Sequence, residues 1–273
     1  MVAIVTDSTA DLPPERAKAL GIHVVPLVVR IDQQSYEDGS ELPPEAYYDK
    51  LRAAKRLPTT SQPSAGRFKA VYESIEGDEI VSIHISGRLS GTLNSAQAAA
   101  AELTGKRVRV IDSRTVSLSL GYLTELGAEA ARAGAGLDEV CDAVQGSIDK
   151  TGFYAVLDTL QHAQRSGRIG FAQALLGSML QIKPILTIRD GTVQPVDRPR
   201  TMRKGLERLA ELTEQDMPLA RLAVPHANNE PMARQLAERL ASVAPAGIDV
   251  ITTGAVVGTH CGPGAVATCY LRK

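Results

Sequence analysis

Short β-branched apolar runs alternate with helix-periodic stretches through the first half of the chain, and this alternation most restricts its fold. Residues 2–6 (VAIVT), 79–86 (EIVSIHIS) and 107–113 (RVRVIDS) each read as a buried strand. Each leads into turn or cap residues and then a helical pattern: DSTADLPPE after the first, GRLSGTLNSAQAAAAEL after the second, TVSLSLGYLTELGAEAARAG after the third. Such alternation predicts βαβ units and a parallel, Rossmann-like sheet. Residues 22–30 (IHVVPLVVR) predict another strand, with Pro26 marking an edge or a bulge. A polar excursion follows, then a helix over about residues 44–55, and a further helix is expected at LDEVCDAVQGSIDKTG.

The pattern shifts near residue 150. FYAVLDT reads as a strand and QALLGSMLQI as helical, while residues 183–198 (KPILTIRDGTVQPVDR) predict a hairpin about Asp190-Gly191. Strands are expected over 221–227, 248–254 and 265–272, with two helices between the hairpin and residue 248. The chain is therefore expected to form an N-terminal parallel-sheet α/β domain over residues 1–153. A C-terminal mixed-sheet α/β domain is expected over residues 154–273, and 273 residues suit two such domains.

Composition narrows the function. Thirty Lys and Arg balance 31 Asp and Glu, so global charge does not suggest a polyanion binder. No Trp is present and aromatics are 4%, which disfavours a stacking platform for nucleic-acid bases. Cys141, Cys261 and Cys269 form no CxxC, so neither a disulfide framework nor a zinc knuckle is expected. The beginning MVAIVTDSTADLP does not read as a signal peptide, and no apolar run reaches the ~18 residues of a membrane span. A cytoplasmic protein without stable membrane insertion is expected.

Five stretches could carry chemistry. PTTSQPS offers Thr59, Thr60, Ser61 and Ser64, hydroxyls suited to a carboxylate or equally to capping a helix near Pro63. HISGRLSGTLNSA runs from a strand through Ser90 and Gly91 into a helix, a setting that can bind anions or simply make a turn. It is neither GxxxxGK[ST] nor GxSxG. QRSGRIG carries Arg165 and Arg168. VDRPRTMRKGLER carries Arg198, Arg200, Arg203, Lys204 and Arg208, a solvated face or a patch for phosphate or an acidic partner. Finally, GAVVGTHCGPGAV sets His260 beside Cys261 on what reads as a Gly-rich turn. The other histidines are scattered without metal-ligand spacing, so no metal is expected. Neighbours on an extended chain point to opposite faces, which makes His260 a poor base for Cys261. An anion-gripping His260 and a structural turn remain open.

In order, VAIVTDSTADLP, GIHVVPL, LPTTSQPS, SIHISGRLSGT, VIDSRTVSLSLG, LDTLQHAQRSGRIG, LQIKPILTIRDG and GTHCGPGA resemble the DegV family of bacterial fatty-acid-binding proteins across nearly the whole chain. The resemblance implies a fatty acid as the ligand, no cofactor, and a buried tunnel between the two domains. It also implies the acyl-binding subunit of a fatty acid kinase. A separate ATP-dependent kinase subunit would phosphorylate the carboxylate for phospholipid synthesis, and this chain would have no turnover of its own. Thr60 and Ser90 would bind the carboxylate with Ser61 and Gly91 beside them. His260 would sit at the carboxylate and the incoming phosphoryl group, and Arg168 and Arg200 would face the kinase or its nucleotide. Two residues depart from the family pattern: Gly87 stands where many relatives have Ser, and Cys261 where Thr or Val is usual. The alternatives are a hydrolase or thioesterase using Cys261 or Ser90, and a lipid-responsive regulatory protein.

Overall fold

The computed structural model describes residues 1–175, 182–244 and 247–273. The first unit is a sheet built from β1 (Ala3–Asp7), β2 (Ile22–Val25), β6 (Glu79–His84) and β7 (Arg107–Asp112). Its order is β2-β1-β6-β7 and every pairing is parallel. Parallel strands need crossovers, and α1 (Pro14–Leu20), α3 (Ala65–Ser74) and α4 (Thr92–Ala101) lie in them, while α5 (Leu118–Arg132) and α6 (Leu137–Gln145) follow β7. α5 and α6 close one face over Ile4, Val81, Ile83 and Ile111. α3 and α4 close the other, where Phe68 of α3 packs with Val5 and Ile80.

Between β2 and α3 the chain leaves this unit. β3 (Val28–Ile31) pairs antiparallel with both β4 (Gln34–Glu37) and β5 (Thr59–Ser61), and α2 (Pro44–Ala53) lies in the connection. The single strand expected over 22–30 is thus two strands in two sheets. Pro26 lacks the N–H a continuous ladder needs, and the chain changes sheets there. The expected polar excursion holds β4, and PTTSQPS holds β5.

The second sheet has the order β10-β9-β8-β13-β11-β12, with β8 (Thr151–Val156), β9 (Ile185–Arg189), β10 (Thr192–Asp197), β11 (Leu219–His226), β12 (Ile248–Thr252) and β13 (Val266–Arg272). Only β11 and β12 run parallel, so the sheet is mixed. β8 spans residue 153. The β9–β10 hairpin turns at Asp190 (φ 48°) and Gly191 (φ 73°), the left-handed pair that a two-residue hairpin uses. α8 (Met202–Gln215) and α9 (Glu230–Arg239) cover one face. α7 (Gln161–Arg165) and α10 (Ala255–Cys261) lie with α2 and the small sheet against the other. Of QALLGSMLQI, expected to be helical, the first three residues end a 3₁₀ turn, Gly170–Leu175, and residues 176–181 lie outside the described residues.

α5 joins the two main sheets. Its Leu120 and Leu123 enter the parallel-sheet core, while Leu118 and Tyr122 pack with Ala223, Cys269 and Leu271 of the mixed sheet. A helix buried on opposite faces must be apolar nearly all round, as this one is. A charged seam runs beside it. Glu125, almost wholly buried, accepts from Arg16 (3.3 Å) and Arg221 (2.7 Å); Arg16 also reaches Asp249 (2.7 Å) and Arg221 reaches Glu129 (2.7 Å).

Candidate lipid and carboxylate site

A cavity of about 410 Å³ lies where the parallel-sheet unit, the small sheet and the mixed sheet meet. Most of its wall is aliphatic, including Leu27, Ile85, Leu157, Leu186 and Val256. Two hydroxyls of that wall are already satisfied internally: Thr9 Oγ1 donates to Asp7, and Thr187 Oγ1 donates to the Phe153 carbonyl at 2.8 Å. Their polar atoms therefore ask nothing of a ligand.

The remaining polar groups that line the cavity come from three segments, around Thr60, Ser90 and His260, together with Arg168. Thr60 Oγ1 lies 2.9 Å from His260 Nε2 across 200 residues of sequence. Ser61 and Gln62 follow Thr60 into the wall. The Gln62 amide lies flat over Gly91, where any Cβ would collide with it, and its Nε2 donates to Ser95 Oγ at 3.2 Å. Ser90, next to Gly91, shares a hydrogen bond with Thr92 Oγ1 (2.9 Å) and accepts from the Thr92 N–H (3.3 Å) at the start of α4. Arg168 donates from Nε to the Leu89 carbonyl at 3.2 Å, which holds a positive charge at this rim. The structure thus brings Thr60, Ser61, Ser90, Arg168 and His260 to one wall, with Gly91 beside them. Arg200 is exposed between β10 and α8 and does not line the cavity. Nearby, Arg203 pairs with Glu207, and Arg208 with Asp197 and Glu211.

His260 is not on a Gly-rich turn; it occupies the last turn of α10. Gly258 permits this helix because a Cβ there would fall 2.6 Å from the Tyr48 hydroxyl. His260 and Cys261 therefore do not point to opposite faces of an extended strand but stand about 100° apart on a helix. Burial, then the charge of Arg168, then His162 push His260 down to about 4. Its ring is neutral at pH 7, and Nδ1 is buried without a partner. Burial drives the Cys261 thiol up to about 12, with Asp11 adding to the shift. The thiol keeps its proton, so it lacks the thiolate that a nucleophile requires. Ser64, also in PTTSQPS, caps α3 by accepting from the Arg67 N–H at 3.1 Å.

Two carboxylates hold the other end of α10. Asp11 accepts from the Gly254 N–H (2.9 Å), Thr253 Oγ1 (3.1 Å) and Ser117 Oγ (2.6 Å). Asp38, from beyond β4, accepts from the Ala255 N–H at 2.9 Å. Burial pushes Asp11 up to about 6, and burial together with Asp11 pushes Asp38 up to about 7. A further chain, Asp7–His84–Ser82–Tyr72, is linked at 2.9, 2.7 and 2.8 Å and fully buried. It resembles a hydrolase triad, but no route for a substrate reaches it, and it fixes Thr9 and β6 in place. Among the described residues no cluster of His, Cys, Asp and Glu could hold a metal ion, and no helix is long and apolar enough to cross a membrane.

The family model described as "Uncharacterised protein, DegV family" matches residues 1–273. The chain belongs to the DegV family. A DegV domain-containing protein of Deinococcus radiodurans is 40% identical over 271 residues, 97% of this chain and 96% of that protein. Among solved DegV structures, a protein of Thermus thermophilus described by its fatty acid binding superposes with a TM-score of 0.92 at 33% identity, covering 99% of each chain. DegV of Bacillus subtilis, described as a fatty acid binding protein, also gives 0.92 at 34% identity, covering 100% of this chain and 99% of that one. The α/β architecture with one parallel and one mixed sheet is the DegV fold. Thr9, Gln62 and Phe153 also line its cavity but do not stand out in the sequence.

Proposed function

We propose that this chain binds a long-chain fatty acid in the cavity and presents its carboxylate to an ATP-dependent kinase subunit, which forms an acyl phosphate for phospholipid synthesis. The observation that carries this reading is a cavity whose lining is largely aliphatic but also holds Thr60, Ser61, Ser90 and His260, the last with an unpartnered buried nitrogen. The fatty-acid binding described for the relatives from T. thermophilus and B. subtilis supports the same ligand class.

Thr60, Ser61 and Ser90 with the start of α4 would hold the carboxylate, and the neutral His260 would turn its free valence toward it. A buried carboxylate must be hydrogen-bonded or it takes up a proton. Each charge-assisted bond contributes about 1.5–3 kcal/mol. Arg168 adds a fixed positive charge at the rim, and Arg168 and Arg200 would face the partner. A C16 chain gains roughly 12 kcal/mol when fully buried, at about 0.8 kcal/mol per CH₂, before ordering costs. His260 would stabilise charge developing during phosphoryl transfer by the partner.

Mass spectrometry of an organic extract of the purified protein should reveal a fatty acid, and added palmitate or oleate should bind. With a fatty acid kinase subunit and ATP, hydroxylamine should trap an acyl phosphate. An empty extract together with no binding of either acid overturns the ligand. Binding without an acyl phosphate overturns the kinase role alone.

A further inference from the structure

The bulkiest apolar side chain in the cavity wall is Phe153, and it is the only Phe, Tyr or Trp there among the described residues. It sits on β8, inside the mixed sheet between β9 and β13, yet remains partly exposed because it faces the cavity. Side chains alternate along a strand, so Phe153, Ala155 and Leu157 share a face, and all three line the cavity.

This row has a direction. Just past its Leu157 end, Asp158 Cβ lies 3.4 Å from where Gly264 would carry a Cβ, and the His162 ring of α7 lies 2.5 Å from the same point on Gly262, both within three residues of Cys261. The Leu157 end is therefore the His260 end. Phe153 lies four residues away, about 13 Å at ~3.3 Å per residue. There it packs against the parallel-sheet core, as does Ile188 beside it on β9. Its backbone is fastened on both sides: Ser119 of α5 donates to the Gly152 carbonyl at 2.6 Å, and Thr187 donates to the Phe153 carbonyl at 2.8 Å.

We infer that Phe153 is the stop that sets the longest acyl chain the cavity accepts. This rests on the fatty-acid reading of the site. The ring stands at the far end of the row on a strand that does not yield, so a chain anchored by its carboxylate at His260 runs along Ala155 and meets it. Ala155, the smallest member of the row, leaves the space the chain passes through.

The test measures affinity for saturated acids from C10 to C22, by displacement of a fluorescent fatty acid, in wild type, Phe153→Leu and Ala155→Val. Each methylene that finds room tightens binding about fourfold, and the gain stops at the wall. Phe153→Leu is expected to move that break to longer chains by two or more carbons, and Ala155→Val to shorter chains. An unmoved break in both folded variants overturns the assignment of Phe153 while leaving the fatty-acid reading intact. Absence of binding by wild type at every length overturns both. Should Phe153→Leu not fold, the direction of the shift in Ala155→Val decides.

Discussion

Replacing Asp38 by Asn should make the protein more stable in alkali and leave it nearly unchanged near pH 4. Asp38 is buried, accepts the Ala255 N–H, and is pushed from an ordinary 3.8 to about 7, chiefly by burial and then by Asp11. A carboxyl whose folded pKa is raised gives stability that is fully present below about 4 and lost as pH rises through about 7. Three units at 1.36 kcal/mol each make the loss about 4 kcal/mol, an upper figure because Asp11 shares the proton balance. Asn keeps an acceptor for Ala255 and carries no charge. Urea unfolding at pH 8.5 should then find Asp38→Asn about 2–4 kcal/mol more stable than wild type, and the difference should shrink steadily below pH 7 until the curves meet near pH 4. His23, His162, His226 and His260 are all pushed down by burial, so they remove stability as pH falls below about 6.5. They are common to both proteins, and the difference between the curves isolates Asp38. Parallel curves from pH 5.5 to 8.5 would refute the reasoning, because they would mean that Asp38 titrates alike in the folded and unfolded chain.

The other expectations are simpler to state. His260→Ala should retain fatty acid with affinity reduced about 10-fold, in line with one lost charge-assisted bond, and should lose partner-dependent acyl phosphate; undiminished phosphorylation would remove His260 from that step. Cys261→Ala should bind palmitate within twofold of wild type and support phosphorylation equally, whereas a collapse of activity would favour the nucleophile alternative. Arg221→Met leaves the buried Glu125 with Arg16 alone and should cost about 2–3 kcal/mol in urea unfolding, much of it restored by adding Glu125→Leu.

The parallel unit is legible because β1, β6 and β7 are short apolar runs each followed by a helix start, and Asp190-Gly191 announces its hairpin. The small sheet is not legible. β4 is the polar QSYE, β5 is three residues long, and the pairing of Val29 with Thr60 joins segments too far apart for a local pattern to reveal. α10 is hidden for a different reason: GAVVGTHC has glycines that disfavour a helix, and contact of Gly258 with Tyr48 overrides that preference. The hydroxyls of PTTSQPS and His260 each draw attention alone, but only the folded chain puts Thr60 against His260. Gln62 was overshadowed by the hydroxyls around it, and Phe153 looks like any core residue of a strand until its ring is seen to border empty space.

The position of α5 also bears on how such chains diverge. One face of this helix answers to Ile4 and Ile83, the other to Ala223 and Cys269, and Glu125 answers to Arg16 of α1 and Arg221 of β11, one from each unit. A substitution in it is judged by two cores at once. Halves taken from different relatives would join well only if the helix of one already matched the sheet of the other, so the two sheets are bound to change in step.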